Sequence, residues 1–141
     1  MKTRDFIADG EVQTLVLAFE NASIAPAAFT HTAHIAVALA YLAEEPLPAA
    51  TQRMRSALTR FVEQHGGATG YHETLTLFWM RLLDHLARTR YAELPLWARI
   101  NAAVEHYGTM GPVLVHYSRE HLFGSTARER WVAPDRVPLP F

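Results

Sequence analysis

The sequence contains no cysteine, and this absence removes several kinds of chemistry. Without thiols the chain cannot form a disulfide, hold an iron–sulfur cluster or a cysteine-bound zinc ion, or use a cysteine nucleophile. A metal site would have to use histidine, carboxylate, tyrosine or backbone oxygen ligands.

Long apolar runs and an excess of one charge are also missing. The longest apolar-rich stretch, residues 29–43, is shorter than the roughly 20 residues that span a bilayer. The opening residues MKTRDFIADGEV lack the apolar centre of a signal peptide. With 13 basic and 14 acidic residues the net charge is −1, so no strong field attracts nucleic acid or an anionic membrane. We therefore expect a cytoplasmic protein that binds neither.

Common catalytic and cofactor motifs are absent as well. The sequence has no P-loop, no G-x-G-x-x-G, no H-E-x-x-H and no G-x-S-x-G, so it shows no nucleotide cofactor motif and no serine triad setting. It also lacks the E-x-x-H pair of carboxylate-bridged di-iron bundles. A site based on histidine remains to be considered.

What the sequence does contain is apolar spacing of helical period, interrupted by glycine and proline. Its length predicts a single domain over residues 1–141. We predict an all-α bundle of about five main helices with an extended, proline-rich arm over residues 132–141. Thr69 or Gly70 is the expected cap of the fourth helix, and Gly66 with Gly67 the expected end of the third. The predicted helices are 11–21, 29 or 30–44, 49–65, 71–89 and 94–107.

The second predicted helix is apolar on nearly every side, which is typical of a helix in the middle of a bundle. Ala33, Ala36 and Ala40 share one of its faces. Such small side chains permit close helix packing, either within the fold or across a homodimer.

Three of the eight histidines form a candidate metal site. His31 and His34 are three residues apart and so lie on one side of the second helix. His72 is expected in the first turn of the fourth helix, on its core side. If the two helix starts meet, the three imidazoles could hold one divalent transition metal (Zn, Fe, Ni, Mn or Cu), with an open position for substrate.

This interpretation predicts a small metal-dependent enzyme acting on a small organic molecule. Glu73, next to His72, would be a general base or a further ligand. Tyr41, Thr76 and Trp79 would contact the substrate. Zinc would support hydrolytic or lyase chemistry, and iron or copper would support oxygenase chemistry.

Other interpretations remain open at this point. Core histidines are often hydrogen-bonded to hydroxyls or backbone carbonyls, which would make these three a structural polar network. The same histidines could line a metal-free pocket in a non-catalytic small-ligand-binding protein or in a dimeric interaction module. His121 is a further candidate ligand, and the roles of His116 and of the tail are not defined by the sequence.

Overall fold

A computed structural model describes residues 6–66 and 70–141 of the chain. The predicted all-α fold is confirmed, since the described residues form eight α-helices and no strand. The helices are α1 (Asp9–Glu20), α2 (His31–Glu44), α3 (Leu47–His65), α4 (Glu73–Arg88), α5 (Leu96–Tyr107), α6 (Gly111–His116), α7 (Arg119–Leu122) and α8 (Ser125–Glu129). A short 3-10 turn over Pro26–Ala28 precedes α2.

Helix α2 lies at the centre of the bundle, as its apolar composition predicts. It packs against α1, α3, α4 and α5. Thr30 caps its first turn by accepting a hydrogen bond from the Ala33 N–H at 3.3 Å. Ala33, Ala36 and Ala40 are buried within the bundle, so this small-residue face brings the helices of one chain close together.

The first turn of α5 receives its cap from α1. Asp9 is the first residue of α1, and Ala8 precedes it without a side-chain cap. Instead, an Asp9 carboxylate oxygen accepts the backbone N–H of Trp97 at 3.0 Å. A carboxylate at a helix N-terminus satisfies a free N–H and is favoured by the helix dipole.

Helix α3 begins earlier than predicted because proline is compatible with a first helical turn. Pro48 lies in that turn, where its missing N–H would have had no partner within the helix. The helix ends at Gly66 as predicted, with the Gly66 N–H bonded to the Val62 carbonyl at 2.7 Å and φ at +71°. Gly67 and Thr69, also proposed as caps, lie outside the described residues, and Gly70 does not cap α4, because His72 holds that position.

The chain after α5 forms short helices and a non-helical tail. Gly108 ends α5 where a β-carbon would lie 2.4 Å from the Val104 carbonyl oxygen, so only glycine fits there without a shift. Residues 131–141 contain no helix and are hydrogen-bonded to α6 and α7. Tyr117 donates to the Val132 carbonyl at 2.6 Å. The fully extended form predicted for residues 132–141 stays a prediction.

None of the helices in the described residues is both long enough and apolar enough to cross a membrane.

Candidate functional site

A cavity of about 760 Å³ lies beside α2, between the N-terminal half of α4 and the C-terminal half of α3. The loop from α5 to α6 and side chains of the α7–α8 region complete its wall. Phe123, which is 46% exposed, and the exposed Thr109 lie where the cavity meets the surface. The volume falls in the range of about 300–1,000 Å³ that is typical of small-molecule sites.

The cavity wall is mostly apolar and aromatic. Each of the three main helices contributes large side chains, and the described residues of the wall include no carboxylate. The titratable side chains in the wall are His31, His34, Tyr71, His72 and Arg128. The apolar contributors are Phe29, Ile35, Ala38, Met54, Leu58, Phe61, Val62, Leu75, Trp79, Met80, Leu83, Met110 and Phe123.

His31 is held by contacts on both sides of its ring. The imidazole packs edge-on against Trp79, with ring centroids 4.7 Å apart, and it also interacts with the backbone of Tyr107. Its Nε2 is fully buried and has no hydrogen-bond partner among the described residues. Burial lowers the pKa of His31, and the interaction with the Tyr107 backbone offsets part of that effect.

His34 lies one helical turn further along α2 and makes a different contact. Its ring packs edge-on against Phe29 at 4.1 Å, and its nitrogens make no hydrogen bond within the part of the chain that the structure describes. Burial, together with the nearby charge of His31, lowers the pKa of His34 to about 4. At neutral pH this imidazole is therefore uncharged.

His72 uses both ring nitrogens in the structure of the protein. It is the N-cap of α4, where its Nδ1 accepts the Leu75 N–H at 3.1 Å. Its Nε2 donates to the Leu122 carbonyl at 2.8 Å. These two bonds define the tautomer and leave no lone pair for a metal. Burial lowers the pKa of His72 despite the bond to Leu122.

The predicted metal site is therefore wrong. Within residues 6–66 and 70–141 there is no group of three or more His, Cys, Asp or Glu side chains that could hold a metal ion. His31, His34 and His72 all line one cavity, but His72 turns its nitrogens to α4 and to Leu122. The prediction of a small metal-dependent enzyme rested on this site and is overturned with it.

Glu73 belongs to an ion pair rather than to the cavity wall. Its two carboxylate oxygens accept hydrogen bonds from Arg55 at 3.0 and 2.8 Å, and Tyr71 donates to it at 2.6 Å. Burial alone would raise the pKa of Glu73, but the bonds from Arg55 and Tyr71 hold it below its usual value. The general-base role predicted for Glu73 depended on the metal, and here the carboxylate joins α3 to α4.

The three residues predicted to contact a substrate divide between two places. Trp79 and Thr76 line the cavity, although the Thr76 hydroxyl already donates a hydrogen bond to the His72 carbonyl at 2.9 Å. Tyr41 is not part of the cavity wall, because its hydroxyl donates to Glu20 at 2.9 Å and the Arg53 guanidinium stacks over its ring at 4.1 Å. Tyr41 thus joins α1, α2 and α3 on another side of α2.

His116 and His121 both form hydrogen bonds to the tail. His116 is bonded to the Val137 carbonyl and His121 to the Ala133 carbonyl, each at 2.8 Å. Neither lines the cavity. His121 is therefore not a further ligand beside His31 and His34.

Sequence reasoning missed most of the cavity wall. Met54, Leu58 and Phe61 recur at helical spacing in α3, which is typical of core side chains, and the structure packs them in or against the core and also in the cavity wall. Their spacing indicates which face of α3 is apolar but not whether a neighbouring helix fills the space opposite. The available signal was Phe29 just before α2 together with Trp79 and Met80 in the middle of α4.

These contacts are the basis for any functional argument, because no protein-family model matches the sequence and no curated protein or solved structure is significantly similar to it.

Proposed function

We propose that the protein is a small-molecule-binding module whose ligand, mainly apolar, occupies the cavity between α2, α3 and α4. The cavity itself carries this proposal. It is large enough for a ligand, has an apolar and aromatic wall, and reaches the surface beside Phe123. Protein interiors are otherwise closely packed, so an unfilled apolar space of this size favours a ligand-binding role.

The polar groups of the wall are few, as is usual in such sites. Most are already bonded to the protein: Tyr71 to Glu73, Thr76 to the His72 carbonyl, and His72 to Leu122. The apolar wall would supply most of the binding free energy, and an imidazole without a protein partner would orient one polar group of the ligand.

Binding of N-phenyl-1-naphthylamine, an uncharged probe that fluoresces more strongly in apolar surroundings, tests the proposal. Ala38 lines the cavity from α2, so Ala38→Leu places extra methyl groups in that space. We expect saturable binding to the unaltered protein and an affinity roughly tenfold lower or worse in Ala38→Leu, because ligand and side chain compete for the same volume.

Ala43→Leu is the matched control, since Ala43 lies on the same helix but is exposed and outside the cavity wall. It should leave the affinity unchanged. Fluorescence that does not saturate, or equal affinities in the two variants, would show that the probe does not bind in the cavity.

A further inference from the structure

The proposed function leaves open which polar group the ligand carries, and the hydrogen bonds of the three cavity histidines narrow that choice. His72 has no free nitrogen, because Nδ1 accepts from Leu75 and Nε2 donates to Leu122. The Nε2 of His31 is fully buried and out of reach of a ligand in the cavity, and the same ring interacts with the Tyr107 backbone.

His34 is different, since its ring lines the cavity and makes no hydrogen bond to another described residue. No protein contact in that part of the chain selects its tautomer. A neutral imidazole offers one N–H donor and one lone-pair acceptor, so His34 can receive a hydroxyl or an N–H group of a ligand. Its contact with Phe29 keeps the ring at the edge of the apolar wall.

The charges near His34 disfavour an ionised ligand at that residue, because Arg128, the one cationic side chain among the described residues of the wall, acts on His72 and not on His34. No carboxylate is present among the described residues of the wall to bind a cationic ligand. A carboxylate placed at His34 would face a neutral ring, because burial together with the neighbouring His31 opposes protonation, and its charge would be buried without an opposite charge. An uncharged polar group carries no such penalty.

Resting on the proposed function, we infer that the cavity takes uncharged, mainly apolar molecules that carry a hydroxyl or N–H group, such as phenols and alcohols, with His34 as the residue that binds this group. The apolar body of the ligand then lies against α3 and α4. His34 is in this sense the specificity-determining residue of the cavity.

Three matched probes test the inference: naphthalene, 2-naphthol and 2-naphthoate, each measured at pH 7.5 by displacement of N-phenyl-1-naphthylamine. The relevant quantity is the ratio of 2-naphthol affinity to naphthalene affinity, compared between variants. His34→Phe keeps an aromatic ring against Phe29 and removes the hydrogen bond. We expect the ratio to fall about 3- to 10-fold in His34→Phe.

His85→Phe is the control, because His85 is half-buried against Phe141 and does not line the cavity. The ratio of 2-naphthol affinity to naphthalene affinity should be the same in His85→Phe as in the unaltered protein. An unchanged ratio in His34→Phe would overturn the inference, although naphthalene would still displace the fluorescent probe. Failure of all the probes to bind would instead overturn the proposed function.

The carboxylate probe, 2-naphthoate, gives an independent test. This test uses only the unaltered protein, so it does not require His34→Phe to fold. We expect 2-naphthoate to bind more weakly than 2-naphthol at pH 7.5 and to gain affinity as the pH falls toward 5.5, because its binding takes up a proton. The affinity of 2-naphthol should stay constant between pH 6 and 7.5. Tighter binding of 2-naphthoate at pH 7.5 would overturn the inference.

Discussion

The three cavity histidines differ in what their ring nitrogens contact, and those contacts determine what each can do. His72 forms hydrogen bonds to two backbone groups, His31 interacts with the Tyr107 backbone, and His34 has no such partner among the described residues. A buried imidazole without a partner favours its neutral form, since burial penalises charge. His34, which has the fewest such contacts, is therefore the histidine whose burial should make the stability of the protein depend most on pH.

The pKa of His34 predicts how the stability of the protein depends on pH. Because the folded-state pKa is about 4 and the ordinary value is 6.5, the unfolded chain binds an extra proton between these two values. The free energy of unfolding should therefore fall as the pH decreases from 6.5 to about 4, by up to about 3 kcal/mol from this residue. Urea unfolding at a series of pH values measures this loss.

His34→Phe separates the contribution of this residue from that of other groups. The variant should lose clearly less stability than the unaltered protein over the same pH interval, whereas His85→Phe should keep the full loss. The remaining slope is expected from His31 and His72, whose pKa values are also lowered by burial. Identical slopes in all three proteins would show that His34 is not buried in its neutral form.

At the scale of helices, the His72 side chain both caps the start of α4 and forms part of the cavity wall. His72 takes the N-cap position that Ser, Thr, Asp or Asn usually occupies, with a ring nitrogen as the acceptor. The same ring crosses to α7 through the Leu122 carbonyl. The N-terminus of α4 is thereby attached to the short helices that border the cavity.

Removing His72 should destabilise the protein through both of these bonds. His72→Ala leaves the Leu75 N–H without its cap and the buried Leu122 carbonyl without its donor, and we expect a loss of about 2–4 kcal/mol. His72→Asn restores a good N-cap and should lose less. Chemical denaturation of the variants measures the difference.

His106→Ala is the control, because His106 is exposed and bonds only to a carbonyl of its own helix. It should change the free energy of unfolding by no more than about 0.5 kcal/mol. Equal stability of His72→Ala and His106→Ala would contradict the capping role described for His72.

The helices and their buried faces could largely be predicted from the sequence, but their partners could not. Gly66 and Gly108 end α3 and α5 where the pattern places them, and α2 is central because it is apolar all round. By contrast, the predicted metal site assumed that the imidazoles of α2 and α4 point at one another. A ring's orientation depends on acceptors distant in sequence, such as the Leu122 carbonyl, which local spacing does not reveal.

Considered as a whole, the molecule is a helical bundle that leaves space on one side of its central helix. On another side of α2, Tyr41, Glu20 and Arg53 form a polar network that joins α1 to α3. On the cavity side, the ion pair between Arg55 and Glu73 holds α3 and α4 together at the edge of the open space. Polar contacts thus join the helices on both sides of α2, and the volume between α3 and α4 stays open.

Methionine methyl groups offer the most direct test that this space binds ligands. Three of the four methionines, Met54, Met80 and Met110, line the cavity, and the fourth is Met1, outside the described residues. With ¹³C-labelled methionine methyls, titration with 2-naphthol should shift the NMR signals of Met54, Met80 and Met110 together and to saturation. The same titration should leave them nearly unchanged in Ala38→Leu. Absence of any saturable shift at these three methyl groups would contradict the account.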